Sequence, residues 1–174
     1  MTRLLLAALA AAALAGPAFA QHAPQPACAA VDDSKLPAAL SGWRNRAALA
    51  AVATAADAAK AAVPLGRGVD GQLKRNGEVA FPVLPAKPGG SVSYGGLFEI
   101  PVAAAGEYQV SLGSGAWIEV VRDGKLVAAS AHAPGPACAS LKKTVVFPMT
   151  PGRYLLEVSG NADPVLPLMV HRVK

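Results

Sequence analysis

The stretch "GEYQVSLG", Gly106 to Gly113, decides the fold class. Read with a period of two, it places Tyr108, Val110 and Leu112 on one face and Glu107, Gln109 and Ser111 on the other, the alternation of a half-buried strand. Downstream, "WIEVVRDGKLVA" (117–128) holds Asp123-Gly124 between two apolar runs. That dipeptide suits a type I′ turn, whose two central residues both need positive φ, so a tight hairpin is expected. "TVVFPMTPGRYLLEV" (144–158) continues the pattern, with Pro151-Gly152 suited to the centre of a type II turn and Tyr154, Leu156 and Val158 on one face. "VLPLMVHRV" (165–173) reads as the last strand. From Gly68 onward turn residues recur roughly every eight to twelve positions, the spacing of an all-β sandwich or barrel. The expected fold is a single antiparallel β-sandwich, jelly-roll-like, over residues 67–174.

Two segments resemble each other. "FEIPVAAAGEYQVSL" (98–112) and "VVFPMTPGRYLLEV" (145–158) both run strand, turn, Gly-x-Tyr, strand. A glycine that turns the chain and a tyrosine that enters the core with its hydroxyl at the wet edge of a sheet account for the likeness physically.

Upstream the pattern changes. Residues 43–66 are alanine-rich, and Leu49, Val52, Ala56, Ala59 and Val63 recur at helical spacing before Pro64 and Gly66 interrupt them, which predicts a short helix. The stripe is narrow because alanine buries little area. Residues 21–42 form a Pro/Ala-rich leader. Residues 1–20, "MTRLLLAALAAAALAGPAFA", carry Arg3, an apolar run, a Gly-Pro break and a small-residue end at Ala20, the features of a secretory signal peptide. The run is shorter than the roughly 20 residues that a membrane-spanning helix needs. The expectation is cleavage near Ala20, release to the periplasm or outside the cell, and no transmembrane segment in the mature chain.

The full chain has 16 Lys and Arg against 11 Asp and Glu; without Arg3 the balance is 15 to 11, a net charge of +4. The closest basic clusters, Arg44 with Arg46, Lys74 with Arg75 and Lys142 with Lys143, are not interleaved with aromatics as nucleic-acid grooves are, so no nucleic-acid partner is expected. An envelope component or a small ligand is the expected class of partner.

Cys28 and Cys138 are the only cysteines, and each lies in a near-identical unit, "HAPQPACAA" (22–30) and "HAPGPACAS" (132–140). In an oxidising compartment the leading reading is a disulfide between them. It would close a loop of about 110 residues, for which the chain-entropy model allows up to about 4.7 kcal/mol. The alternative is a copper or zinc site from His22, Cys28, His132 and Cys138, which has suitable ligand types but not the usual zinc spacing. With the disulfide, no cofactor is expected. His132, between prolines and glycine, is expected in an exposed loop.

Catalytic signatures are absent: there is no Gly-x-Ser-x-Gly, no His-Glu-x-x-His, no phosphate-binding glycine loop and no Cys-x-x-Cys. The acids are scattered one per segment apart from Asp32-Asp33, so a carboxylate pair would have to be assembled by the fold. Among aromatics, Trp117 opens a strand whose other face is apolar and reads as core or rim before ligand platform. Trp43, beside Arg44 and Arg46, is the better candidate for an exposed ring.

Residues 97 to 174 resemble the bacterial pre-peptidase C-terminal type of β-sandwich, through Phe98, Gly106, Tyr108, Gly152, Tyr154 and Val158. The resemblance implies an exported, noncatalytic accessory domain. It departs from that family at "AWIEVV", where several acids are usual and this chain has only Glu119. The mature chain is also similar to small exported alphaproteobacterial proteins of unestablished function, some of which carry a homogentisate dioxygenase label. Ring-cleaving dioxygenases of that kind use a two-His, one-carboxylate iron site, and this sequence does not reproduce its spacing. The expectation is therefore a noncatalytic β-sandwich that serves as a binding or accessory module, with Trp43, Trp117 and His132 as candidate ligand contacts. The alternatives are a copper- or zinc-binding protein, or an enzyme whose site one sequence does not reveal.

Overall fold

The computed structural model describes residues 28–173. Eleven strands form two sheets. In chain order they are β1 (Ala47–Ala50), β2 (Gly68–Gln72), β3 (Lys74–Arg75), β4 (Tyr94–Val102), β5 (Gly106–Leu112) and β6 (Trp117–Arg122). They continue with β7 (Lys125–Leu126), β8 (Ala131–Pro134), β9 (Lys143–Met149), β10 (Gly152–Asn161) and β11 (Val165–Arg172). One sheet has the order β1-β2-β11-β5-β9-β8 and the other β3-β4-β10-β6-β7. All pairings are antiparallel except β1 with β2, which is parallel (Ala47↔Val69 to Ala50↔Gln72).

The strand that set the fold class behaves as its alternation requires. Tyr108, Val110 and Leu112 of β5 lie in the core with Val145 and Phe147 of β9, Leu166, Leu168 and Val170 of β11, and Phe98, Ile100, Leu156 and Val158 from the facing sheet. The opposite face of β5 is half-buried at Glu107 and Gln109 but closed at Ser111, which has no exposure and whose hydroxyl accepts from Gln109 Nε2 at 3.0 Å. The β6–β7 hairpin turns at Asp123 (φ 51°) and Gly124 (φ 72°), as the type I′ geometry demands.

The other expected turns do not make hairpins. The chain passes from one sheet to the other between β4 and β5, β5 and β6, β9 and β10, and β10 and β11. Gly152 accordingly lies inside β10 with φ 150°, not in a type II turn. The two look-alike segments are two such crossings, stacked so that β4 pairs β10 (Val102↔Gly152) and β5 pairs β9 (Gly106↔Met149). Each is pinned by its tyrosine: Tyr108 Oη donates to the Ala104 carbonyl at 2.7 Å and Tyr154 Oη to the Thr150 carbonyl at 3.1 Å, four residues upstream in both cases. This is the tyrosine-corner device, used twice.

The helix expected within 43–63 is only partly present. Ala55–Ala61 is a 3-10 helix, whereas Ala47–Ala50 is strand β1. Of the predicted stripe only Val63 is fully buried, Leu49 and Val52 are partly buried, and Ala56 and Ala59 are exposed; Ala51, Ala58 and Ala61 are buried instead, because this segment binds the sheets along their edges. Val52 bridges Leu97 and Ala62 bridges Glu99 on the free edge of β4.

The leader packs on the outer face of the six-stranded sheet. Cys28 and Cys138 are joined by a disulfide with a Cα–Cα distance of 5.4 Å, and the Asp32 N–H donates to the Cys138 carbonyl at 2.8 Å. Asp33 accepts from the Ser140 N–H at 2.8 Å and the Ser140 hydroxyl at 2.6 Å, and Ser140 Oγ in turn accepts from Trp43 Nε1 at 2.7 Å. Trp43 is fully buried with Leu40, Leu141 and Met169, which corrects the expectation of an exposed ring. The neighbouring arginine that suggested exposure covers it instead: the Arg46 guanidinium lies 5.5 Å from the indole centroid and pairs with Asp70 at 2.7 Å.

Candidate functional site

Where β6 and β7 of one sheet face β8 and β9 of the other, the flank of the sandwich holds a cleft of about 510 Å³. Its apolar lining is Ile118, Val145 and Phe147 from core strands, Leu126 from β7, and Val127 and Ala129 from the β7–β8 connection. Its polar groups are Trp117, Glu119, His132 and Lys143. A cleft of this size with an apolar lining and a few converging polar groups is the usual form of a small-molecule site. A second cleft of about 510 Å³ lies beside the leader at Gly42, Asn45 and Arg67, with no aromatic ring in its lining and Arg67 as its only ionisable group. The flank cleft has the richer chemistry.

Trp117 is half-buried on β6. Its Nε1 donates to Glu119 Oε1 at 3.1 Å, and two ammonium groups approach its ring, Lys87 Nζ at 4.8 Å and Lys143 Nζ at 5.2 Å from the centroid. Lys143 Nζ also donates to the Ala116 carbonyl at 3.0 Å. Burial, and after it the Lys87 charge, hold the Lys143 ammonium below its ordinary pKa.

A carboxylate pair adjoins this site. Glu119 of β6 and Glu157 of β10 are directly opposed across the strand pair, on the face turned away from the core. The segment over residues 79–93 passes across that face as a strap. Its Val83 N–H donates to Glu157 Oε1 at 3.2 Å, its Ala86 N–H to Glu119 Oε1 at 3.3 Å, and its Lys87 carbonyl accepts from Ser159 Oγ at 3.0 Å. Oε2 of each glutamate is buried with no hydrogen-bond partner. Burial raises the Glu157 carboxyl from its ordinary 4.5 to about 7; the Val83 N–H opposes the rise and the charge of Glu119 adds to it.

No protein-family model and no curated protein matches this chain.

Two of the predicted ligand contacts, Trp117 and His132, line the flank cleft together, while Trp43 belongs to the leader's core. His132 is exposed on the edge strand β8, opposite Val145 of β9, and not in an irregular loop. The twin His-x₅-Cys units do not assemble as a thiolate site, because the two sulfurs are bonded to each other; His22 and residues 1–20, where a signal peptide is expected, lie outside the described residues. Among the described residues no three of His, Cys, Asp and Glu come together to hold a metal ion, and no helix is long and apolar enough to cross a membrane. Sequence reasoning missed Lys87, Lys143, Glu157 and the apolar lining. The available signal was weak: the outward phase of Glu119 and Glu157 on two alternating strands says which face they occupy but not that β6 and β10 are neighbours.

Proposed function

We propose that this protein is an exported, noncatalytic binding module whose ligand site is the flank cleft between β6–β7 and β8–β9. The observation that carries the reading is the union of Ile118, Val127, Val145 and Phe147 with Trp117, His132 and Lys143 in one cleft of about 510 Å³. Export is supported by the Cys28–Cys138 disulfide, a bond that persists in oxidising compartments, and by the leader sequence before it. The resemblance to exported accessory sandwiches points the same way. The partner is a small, largely apolar molecule, because the lining offers apolar area beyond what its few polar groups could satisfy.

The test is calorimetric titration of the full mature protein with 1-decanol. Wild type should bind, and Ala129→Trp, which fills the cleft from an exposed connection, should abolish binding while leaving the thermal midpoint within a few degrees. Absence of binding to wild type, or undiminished binding to the filled variant, refutes the reading.

A further inference from the structure

Resting on the reading of the flank cleft as a ligand site, we propose that its ligand carries an anionic head group, a carboxylate or phosphate monoester, seated between Lys87 and Lys143 beside Trp117. A smaller cavity of about 290 Å³, lined by Lys87, Gly89, Gly115, Trp117, Lys143 and Gly160, shares Trp117 and Lys143 with the apolar cleft. The two spaces adjoin at these two side chains, and the proposed ligand takes its apolar part from the first and its head group from the second.

Three observations assign the cationic end to an anion. First, two ammonium groups are held at one indole ring, and among the described residues neither takes part in an ion pair. Like charges brought together in a partly desolvated place repel, and an anion between them converts that repulsion into two attractions. Second, Glu119, the carboxylate bonded to Trp117, accepts through Oε1 from the Trp117 and Ala86 N–H groups and forms no ion pair with either lysine. Third, the cavity wall is half glycine. A side chain at Gly89 would come within 2.6 Å of Gly160 Cα, and both residues have positive φ (81° and 65°), while Gly115 faces open space. Gly89 and Gly160 are thus held by backbone packing and conformation, and none of the three positions puts a side chain into the cavity beside the two ammonium groups.

The geometry also sets the order of parts. Lys87 is carried by the strap and Lys143 by β9, so the head group would tie the strap to the far sheet while the tail fills the flank. A ligand with both parts should bind more tightly than either part alone, because the second contact is made at high effective concentration.

Four probes separate the components: 1-decanol, decanoate, decyl phosphate and inorganic phosphate, each titrated into the full mature protein by calorimetry. Decanoate and decyl phosphate should bind at least about tenfold more tightly than 1-decanol, and the advantage should shrink with added salt. Lys87→Met, at an exposed position outside the lining of the apolar cleft, should bring decanoate down to the affinity of 1-decanol without weakening 1-decanol itself, and Lys143→Met should likewise remove the advantage of decanoate over 1-decanol. Equal affinity for decanoate and 1-decanol, or decanoate binding untouched by both variants, overturns the anionic head group while the cleft reading stands. Inorganic phosphate binding as tightly as decyl phosphate overturns the joined head-and-tail ligand in favour of a free anion. If neither 1-decanol nor decanoate binds, the cleft reading itself has failed.

Discussion

Glu157→Gln should remove a pH dependence that the wild-type fold carries. Glu157 is almost completely buried, and its carboxyl is raised from an ordinary 4.5 to about 7, chiefly by burial. Below pH 4.5 the group is protonated in both folded and unfolded chains and contributes no slope. Between 4.5 and 7 the unfolded chain has lost the proton and the folded chain keeps it, so the unfolded state binds fewer protons and stability falls as pH rises. The fall is complete above pH 7 and amounts to at most about 3 kcal/mol, from the gap between the two pKa values. Glutamine keeps the size and the acceptor for the Val83 N–H but cannot ionise. Its stability should be close to wild type at pH 4.5 and higher than wild type by up to about 3 kcal/mol at pH 8.5. The buried His171, held below its ordinary pKa by burial, contributes with the opposite sign: stability is lost as pH falls below about 6.5, where the unfolded histidine takes up a proton. Because His171 is common to both proteins, the difference between their profiles isolates Glu157. Urea unfolding at half-unit pH intervals from 4.5 to 8.5, without reductant, supplies both curves. Parallel profiles, differing by a constant within about 0.5 kcal/mol, would refute the assignment of that titration to Glu157.

Two further outcomes follow from the leader. Cys28→Ser/Cys138→Ser should lower stability by about 2–5 kcal/mol and expose Trp43 to solvent, read as a red-shifted emission; in the wild type, intact mass should show alkylation only after reduction. Trp43→Ala should cost about 3–5 kcal/mol, since it empties a fully buried site and leaves Ser140 without its indole donor, and denaturant unfolding measures it directly.

What could be read from residues alone was local. The alternation at Tyr108, Val110 and Leu112 and the Asp123-Gly124 turn depend on neighbours a few positions apart, and both are present as expected. Sheet membership was not legible. A strand ending at Val102 and another starting at Gly106 look identical in sequence whether they pair or cross, and here they cross. Trp43 shows a different failure. Flanking arginines point to water in the sequence, but the Arg46 chain is long enough to lie over a buried ring and reach Asp70. The carboxylate pair needed the register of β6 against β10, a long-range fact that neither strand carries in its own pattern.

The short crossings have a mechanical consequence. Two of them, 103–105 and 150–151, close one end of the sandwich, and two more, 113–116 and 162–164, close the other, where Ser114 Oγ also bonds Asn161 Oδ1 at 2.6 Å. The layers are laced at both ends by the chain itself and cannot hinge apart there. Any parting of the two layers is therefore confined to the flank, where 127–130 spans from β7 to β8 tied only at its ends, Val127 N–H to the Val120 carbonyl and Ser130 N–H to the Val146 carbonyl, and a molecule slipping between the layers along that side would unlace nothing.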